Sequence, residues 1–242
     1  MRTLFALAGA AALALIGGAS AQQAAKKAPA KAAAPKWENV VAITPQGGHR
    51  QGNPDAPVKL IEYGSRGCPT CGRFAAEGVA PLRSDYIATG KVSYEYRDYL
   101  IHGPPDLAAA LLNQCVPTAR FFPVLDALYA NQRAFNGKME ELIKNQPAQT
   151  AAWQKLPIPQ MATKFAEATG MIAFMKTQGL PEAAARKCLA DPKLIARISQ
   201  TNADAVKVYK VDSTPTFIVN TRKVSAFSWE RLQPELWANG AN

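Results

Sequence analysis

Fourteen residues, VKLIEYGSRGCPTC (Val58 to Cys71), constrain this chain more than any others. Val58 to Ser65 is a short run rich in apolar and β-branched side chains, broken by Glu62, with the length and composition of a buried strand. Gly64, Ser65 and Gly67 end it. From Pro69 onward, PTCGRFAAEGVAPLRSDYIA places Phe74, Val79, Leu82 and Tyr86 at helical spacing. Pro69 suits the first turn of a helix, where its missing N–H is no loss. Gly78 and Pro81 are expected to kink or weaken that helix. VSYEYRDYL (Val92 to Leu100) then alternates like a strand. The order is strand, CxxC at a helix start, strand.

That placement has chemical consequences. Cys68 falls at or just before a helix N-terminus, where unpaired N–H groups and the helix dipole favour an anion. A thiolate is such an anion, so its pKa is expected below that of a free thiol. Cys71, one turn further on, lies on the same face and is more buried. Cys68 is therefore the attacking or attacked sulfur and Cys71 the resolving one. Arg66 and Arg73 could add positive potential beside Cys68, but ordinary surface charge is the favoured reading of both. Structural zinc fits poorly: such sites want four ligands, often two CxxC pairs or one with a spaced histidine pair. Here Cys68, Cys71, Cys115 and Cys188 contain one CxxC, and the histidines are His49 and His102, far apart in sequence.

The chain begins MRTLFALAGAAALALIGGASAQ. Arg2, an apolar run from Leu4 to Ile16 and Ala19-Ser20-Ala21 fit a signal peptide (1–21) cleaved after Ala21; the run is short of the ~20 apolar residues of a membrane span. No later segment is long and apolar enough to span, so an exported, soluble product is expected. An exported chain meets an oxidising compartment, where disulfides persist. Residues 22–38, rich in Ala, Lys and Pro, lack core-forming side chains and read as a disordered tether. About 205 residues follow, enough for one domain with an insertion or for two small domains. Four lysines of the tether contribute to the net charge of +10. That charge suits a solvated surface, an anionic membrane face or acidic partners; no nucleic-acid motif is present, and no nucleic acid is expected as a partner.

Far downstream stands STPTFIVN (Ser213 to Asn220), a strand core preceded by Thr214-Pro215. With VKLIEYGSRGCPTC, VSYEYRDY and KCLADPKLIARI, it gives the sequence from about residue 40 onward a resemblance to the DsbA-like thiol–disulfide oxidoreductases of the thioredoxin superfamily. The resemblance implies an α/β thioredoxin fold with an inserted helical subdomain: the first part of the fold in 39–103, the insertion in 104–205, the second part in 206–242. It implies that Pro215 is cis against the redox pair, and that Thr214 offers backbone hydrogen bonds to an extended substrate. Glu62 matches the position of a buried acid beneath the resolving cysteine. There burial would raise its pKa and let it exchange a proton with Cys71; a solvent-facing edge glutamate is the alternative.

The 117 positions separating Asp98 from Pro215 exceed what a minimal thioredoxin fold needs. Residues 106–114, 119–135, 161–178, 181–190 and 194–209 read as helices separated by Gly and Pro breaks. Phe121, Phe122, Leu125, Leu128 and Tyr129 are expected to be the apolar face of the insertion. Cys115 and Cys188 fall on different helices; a structural disulfide is favoured over two free thiols or a second redox pair. SWERLQPELWANG reads as a closing helix with Trp229, Leu232, Leu236 and Trp237 on one face, Ser228 as a candidate N-cap, and Pro234 placed awkwardly inside.

The function implied is introduction of disulfides into unfolded exported proteins with free cysteines, in the periplasm. The Cys68–Cys71 disulfide itself serves and no cofactor is needed; a monomer is expected, reoxidised by a DsbB-like membrane quinone reductase. The residues between the cysteines are Pro-Thr rather than the Pro-His of many strong oxidants in the family. Loss of that histidine removes one stabiliser of the thiolate and leaves isomerase or reductase activity open. A CxxC metal-delivery module is a further alternative.

Overall fold

The computed structural model describes residues 35–242; the expected signal peptide and most of the tether lie outside the described residues. Trp37–Asn39, at the end of the stretch read as tether, forms a 3-10 turn. The Trp37 indole lies close over Gly90, where a Cβ would come within 2.9 Å of its Nε1. An aromatic ring with a packing partner sets the boundary a residue or two earlier than composition suggested.

Six strands form one sheet in the order β1-β2-β4-β3-β5-β6. They are β1 Val41–Ile43, β2 His49–Gln51, β3 Val58–Gly64, β4 Val92–Asp98, β5 Thr216–Val219 and β6 Arg222–Val224. β3 and β4 run parallel, with Leu60 opposite Tyr94 and Glu62 opposite Tyr96; the other neighbours are antiparallel. Helix α1 (Pro69–Pro81) links β3 to β4 and continues as π-helical turns over Leu82–Ile87. Pro81 cannot donate a backbone N–H, so the hydrogen-bond pattern shifts there.

β3 and β4 are buried along almost their whole length. Side chains alternate between faces. Leu60 packs into a core with Phe74 and Val79 of α1 and Phe217 of β5. Ile61 and Tyr63 pack on the opposite face with Ile218, Val211 and Ala205. Glu62 therefore shares the face of Leu60, beneath α1.

Between β4 and β5 lie eight helices, α2 Pro104–Gln114, α3 Phe121–Ala130, α4 Gln132–Asn145, α5 Pro147–Trp153, α6 Ile158–Ala168, α7 Met171–Thr177, α8 Glu182–Leu189 and α9 Pro192–Tyr209. The expected helix 119–135 breaks at Asn131, and 161–178 breaks at Gly170, whose φ of 79° few other residues adopt. The second half of α4, α5 and the short strands β1, β2 and β6 carry too few periodic apolar residues to stand out in the sequence.

Two sequence-based assignments differ from the structure. Helix α9 runs through residue 205 without a break, because no Gly or Pro interrupts it after Pro192. Leu194 and Ile198 pack into the helical core and Ala205 onto the sheet, so one helix serves both units. The aromatic face of α3 also divides: Phe121, Phe122, Leu125 and Tyr129 join the sheet core, and Leu128 with Val124 joins the helical core. Cys115 and Cys188 are joined by a disulfide across 73 positions.

The chain closes with α10 (Trp229–Leu236) and π-helical turns over Trp237–Ala241. Leu232 and Leu236 are fully buried. Trp237 is instead half exposed, and its Nε1 donates to the Tyr86 hydroxyl. Ser228 occupies the N-cap position, but its hydroxyl makes no capping hydrogen bond. Among the described residues, no helix is long and apolar enough to cross a membrane.

Candidate redox site

Cys68 is the N-cap residue of α1 and Pro69 its first residue. Both sulfurs are free thiols, so the structure is of the reduced pair. Cys68 is 5% exposed and Cys71 fully buried. The Thr214–Pro215 peptide is cis. It brings the start of β5 against Cys68, whose Sγ donates to the Thr214 carbonyl at 3.2 Å. The Thr214 hydroxyl is buried with no hydrogen-bond partner; ionisation of Cys68 gives it an acceptor.

The two sulfurs are driven apart in acidity. The Cys68 thiol is lowered to about 4, chiefly by the hydrogen bond from Cys71, against the opposing effect of burial. Thr214, the Cys71 backbone N–H and His102 add further hydrogen bonds to the thiolate. Cys71 is pushed well above the ordinary thiol range by burial, by its role as donor to Cys68, and by the nearby Glu62 charge. Glu62 is 1% exposed, so the solvent-facing alternative does not apply. Burial raises its carboxyl to about 8, against the Tyr94 hydroxyl, which donates to Oε2 at 2.6 Å. Oε1 has no hydrogen-bond partner. A buried acid that changes protonation near neutral pH, beside a sulfur that must gain and lose a proton, can act as its proton reservoir.

Several residues the sequence did not single out hold the loop before Cys68. Asp106 of α2 accepts from the Arg66 and Gly67 N–H groups at 2.9 and 3.3 Å and from the Ser65 hydroxyl at 2.6 Å. Gln132 of α4 donates to the Arg66 and Cys68 carbonyls at 2.7 and 2.8 Å, and Asn136 to that of Gly67 at 3.0 Å. The helical insertion thus supplies partners for the backbone on which Cys68 is mounted.

Arg66 is not a surface charge: it is 4% exposed, paired with Asp98 and hydrogen-bonded to Asn113. Burial opposes its charge, but Asp98 outweighs burial and the guanidinium stays protonated. Arg73 is exposed, as expected.

The two histidines separate. His49 is buried on β2, stacked on Phe121. His102 arrives from the loop after β4 and lies over Gly67, where a Cβ would come within 2.7 Å of its own Cβ. It thereby supplies Cys68 with the imidazole that the Pro-Thr pair lacks. Nothing in the sequence could announce this, because His102 stands thirty-four positions from Cys68. Among the described residues, no three His, Cys, Asp or Glu side chains are grouped to hold a metal ion.

The sequence pattern of the thioredoxin family matches residues 44–236. Disulfide bond formation protein D of Bacillus subtilis is 24% identical over 177 residues, which are 73% of this chain and 69% of that protein. Five further curated relatives are matched over 56–58% of their own length. The crystal structure of a protein-disulfide isomerase from Novosphingobium aromaticivorans superposes with a TM-score of 0.74 at 27% identity, covering 79% of this chain and 96% of that one. Alpha-DsbA1 of Wolbachia pipientis shares the fold, with a TM-score of 0.61 at 19% identity over 78% of this chain and 88% of its own.

Proposed function

The chain belongs to the thioredoxin family, its site is that of a thiol–disulfide oxidoreductase, and we propose that the protein introduces disulfides into unfolded proteins exported to the periplasm. The observation that carries this reading is the opposition of the two sulfurs. Cys68 is ionised from about pH 4 upward, whereas Cys71 is held protonated. A stabilised thiolate favours the reduced pair, and a pair that prefers to be reduced oxidises others.

In the oxidised protein a substrate thiolate attacks Sγ of Cys68. The Cys68–Cys71 bond breaks and its electron pair goes to Cys71, which takes a proton from Glu62. Sγ of Cys68 carries no proton in either disulfide, so the Thr214 carbonyl is free to accept from a substrate backbone N–H. A second substrate thiolate then attacks the substrate sulfur of the mixed disulfide. The substrate disulfide forms and Cys68 leaves as its stabilised thiolate. The two sulfurs carry both electrons without a cofactor, and a monomer suffices. A membrane quinone reductase of the DsbB kind would restore the disulfide.

The name of the Novosphingobium structure favours a second reading, isomerase. An isomerase attacks with reduced Cys68. A thiol of such low pKa is a good leaving group but a weakened nucleophile, which supports donation of a disulfide instead. The test mixes the oxidised protein with a reduced two-cysteine peptide, and the reduced protein with a substrate of scrambled disulfides. The proposal expects fast, stoichiometric peptide oxidation. Faster unscrambling than oxidation would assign the isomerase reading.

A further inference from the structure

The Glu62 carboxyl has to give one proton to Cys71 and take it back, and its two oxygens are not equivalent. Oε2 accepts from the Tyr94 hydroxyl at 2.6 Å, whereas Oε1 is buried without a hydrogen-bond partner. Tyr94 stands opposite Leu60 in the parallel pair of β3 and β4, so it shares with Glu62 the face that α1 covers. It is buried, and its ring packs on Phe122 of α3 with 5.5 Å between centroids. Other ionisable groups surround the carboxyl: Cys68 and Cys71 at the start of α1, Arg66 of the loop before it, Tyr96 of β4 and Tyr129 of α3. These groups have partners of their own. The two sulfurs bond to each other, and Arg66 is paired with Asp98. The Tyr96 and Tyr129 hydroxyls bond to each other at 2.9 Å, and Tyr129 donates to the Ser65 carbonyl at 3.3 Å. Phe217, opposite Glu62 on β5, is apolar. Among the described residues, Tyr94 alone bonds to the carboxyl, and its hydroxyl has no other acceptor.

We propose that Tyr94 is a positioning residue for the proton step: by donating to Oε2 of Glu62 it reserves Oε1 as the oxygen that gives a proton to Cys71 and takes it back. The inference rests on the thiol–disulfide reading of the site, with Glu62 as its proton donor. A proton on Oε2 would turn the Tyr94 O–H away from its one acceptor and leave a buried donor unpaired, which costs more than a hydrogen bond normally contributes. Burial also keeps the phenol protonated well beyond neutral pH, so Tyr94 donates throughout the cycle. The proton of the acid therefore resides on Oε1. When substrate attack frees the Cys71 thiolate, Oε1 passes its proton to that sulfur. The carboxylate charge is left on a group that already holds a charge-assisted hydrogen bond from Tyr94. Reoxidation reverses the transfer: Cys71 returns its proton to Oε1 before its sulfur attacks the mixed disulfide that Cys68 forms with the oxidising partner. A bond that favours the carboxylate also makes Glu62 the stronger acid toward Cys71, against the burial that weakens it.

The test is Tyr94→Phe, which keeps the ring against Phe122 and removes only the hydroxyl, alone and combined with Glu62→Gln. Ionisation of Glu62 in the reduced protein is followed by its carboxyl infrared band, assigned by loss of that band in Glu62→Gln. The wild-type transition is expected near pH 8. Tyr94→Phe should make Glu62 a weaker acid by about tenfold or more, as loss of one hydrogen bond to a charged group requires. It should also slow single-turnover oxidation of a reduced two-cysteine peptide by about threefold or more. In the Glu62→Gln background the same change should alter that rate by less than about twofold. An unmoved Glu62 transition, an unchanged rate, or equal slowing with and without Glu62 would overturn the proposal, the last by making Tyr94 merely structural. If Tyr94→Phe does not fold, proton resonance of the wild type decides. The Tyr94 hydroxyl proton should be protected from exchange and should shift as Glu62 titrates; a freely exchanging hydroxyl would overturn the proposal. A wild-type protein that oxidises no peptide would overturn the redox reading instead, while the carboxyl band still reports whether Tyr94 holds Glu62.

Discussion

Ionisation of Cys68 should stabilise the reduced fold by an amount that depends on pH. Its folded pKa of about 4 lies far below that of a free thiol, near 8.5. Because the folded value is depressed, the stabilisation is absent below pH 4, grows as pH rises, and is complete only above the ordinary thiol pKa. At pH 7 about three pH units of it are realised, ~4 kcal/mol at ~1.4 kcal/mol per unit. Cys68 is 5% exposed, yet it sits at the mouth of the site, and solvent screening trims the figure toward ~2 kcal/mol. Cys68→Ala removes the titrating group, together with its smaller upward push on the Glu62 carboxyl. Urea unfolding of the reduced wild type and of this variant, from pH 4 to 8, gives the difference directly. The gap should widen by about 2–4 kcal/mol between pH 4 and 7. A gap flat to within about 0.5 kcal/mol would mean that Cys68 titrates as a free thiol and that the hydrogen bonds from Cys71, Thr214 and His102 do not hold its thiolate as described.

Glu62 should have the opposite pH signature. Its raised pKa makes it favourable to the fold only while protonated, a contribution lost as pH rises from about 4 through about 8. Glu62→Gln should therefore be the more stable protein at pH 8, by ~3–5 kcal/mol in thermal or urea unfolding, while mixed-disulfide formation slows; equal stability of the two at pH 8 would contradict burial of a charge there. His102→Ala should raise the Cys68 pKa by about one unit, followed by thiolate absorbance during an acid titration; an unmoved transition near pH 4 would remove His102 from the site. Replacing Cys115 and Cys188 by alanine releases a 73-position loop and should cost ~4 kcal/mol on a chain-entropy account while sparing dithiol oxidation. Loss of turnover at unchanged stability would make that pair a redox element.

The parts of this site carried by local pattern are legible in the sequence. A buried strand, a CxxC beside Pro69 and a Thr-Pro before an apolar strand each announce themselves within a few residues. The two-residue strand period places Glu62 on the face that α1 covers. What the sequence hides is set by distant packing. Arg66 looks like any charge near a surface loop, because Asp98 and Asn113, which make its burial tolerable, lie thirty-two and forty-seven positions away. Asp106 reads as a first-turn acid of α2, and Gln132 and Asn136 as polar residues of a weakly patterned helix. Their partners are backbone groups of the Cys68 loop, which no spacing rule connects to them. The uninterrupted run through residue 205 hides a change of packing partner within α9, since periodicity reports burial but not what a side chain is buried against.

On the proposed reading, stabilisation of the Cys68 thiolate makes this pair an oxidant, and the reduction potential of Cys68/Cys71 at pH 7 measures it. The ~2–4 kcal/mol expected above, about 1.5 to three powers of ten, raises the potential by ~45–90 mV at ~30 mV per tenfold. Equilibration with a glutathione redox buffer, followed by mass analysis of the pair, should give a value between about −180 and −100 mV. A value at or below about −230 mV, toward that of reducing thioredoxins, would contradict it.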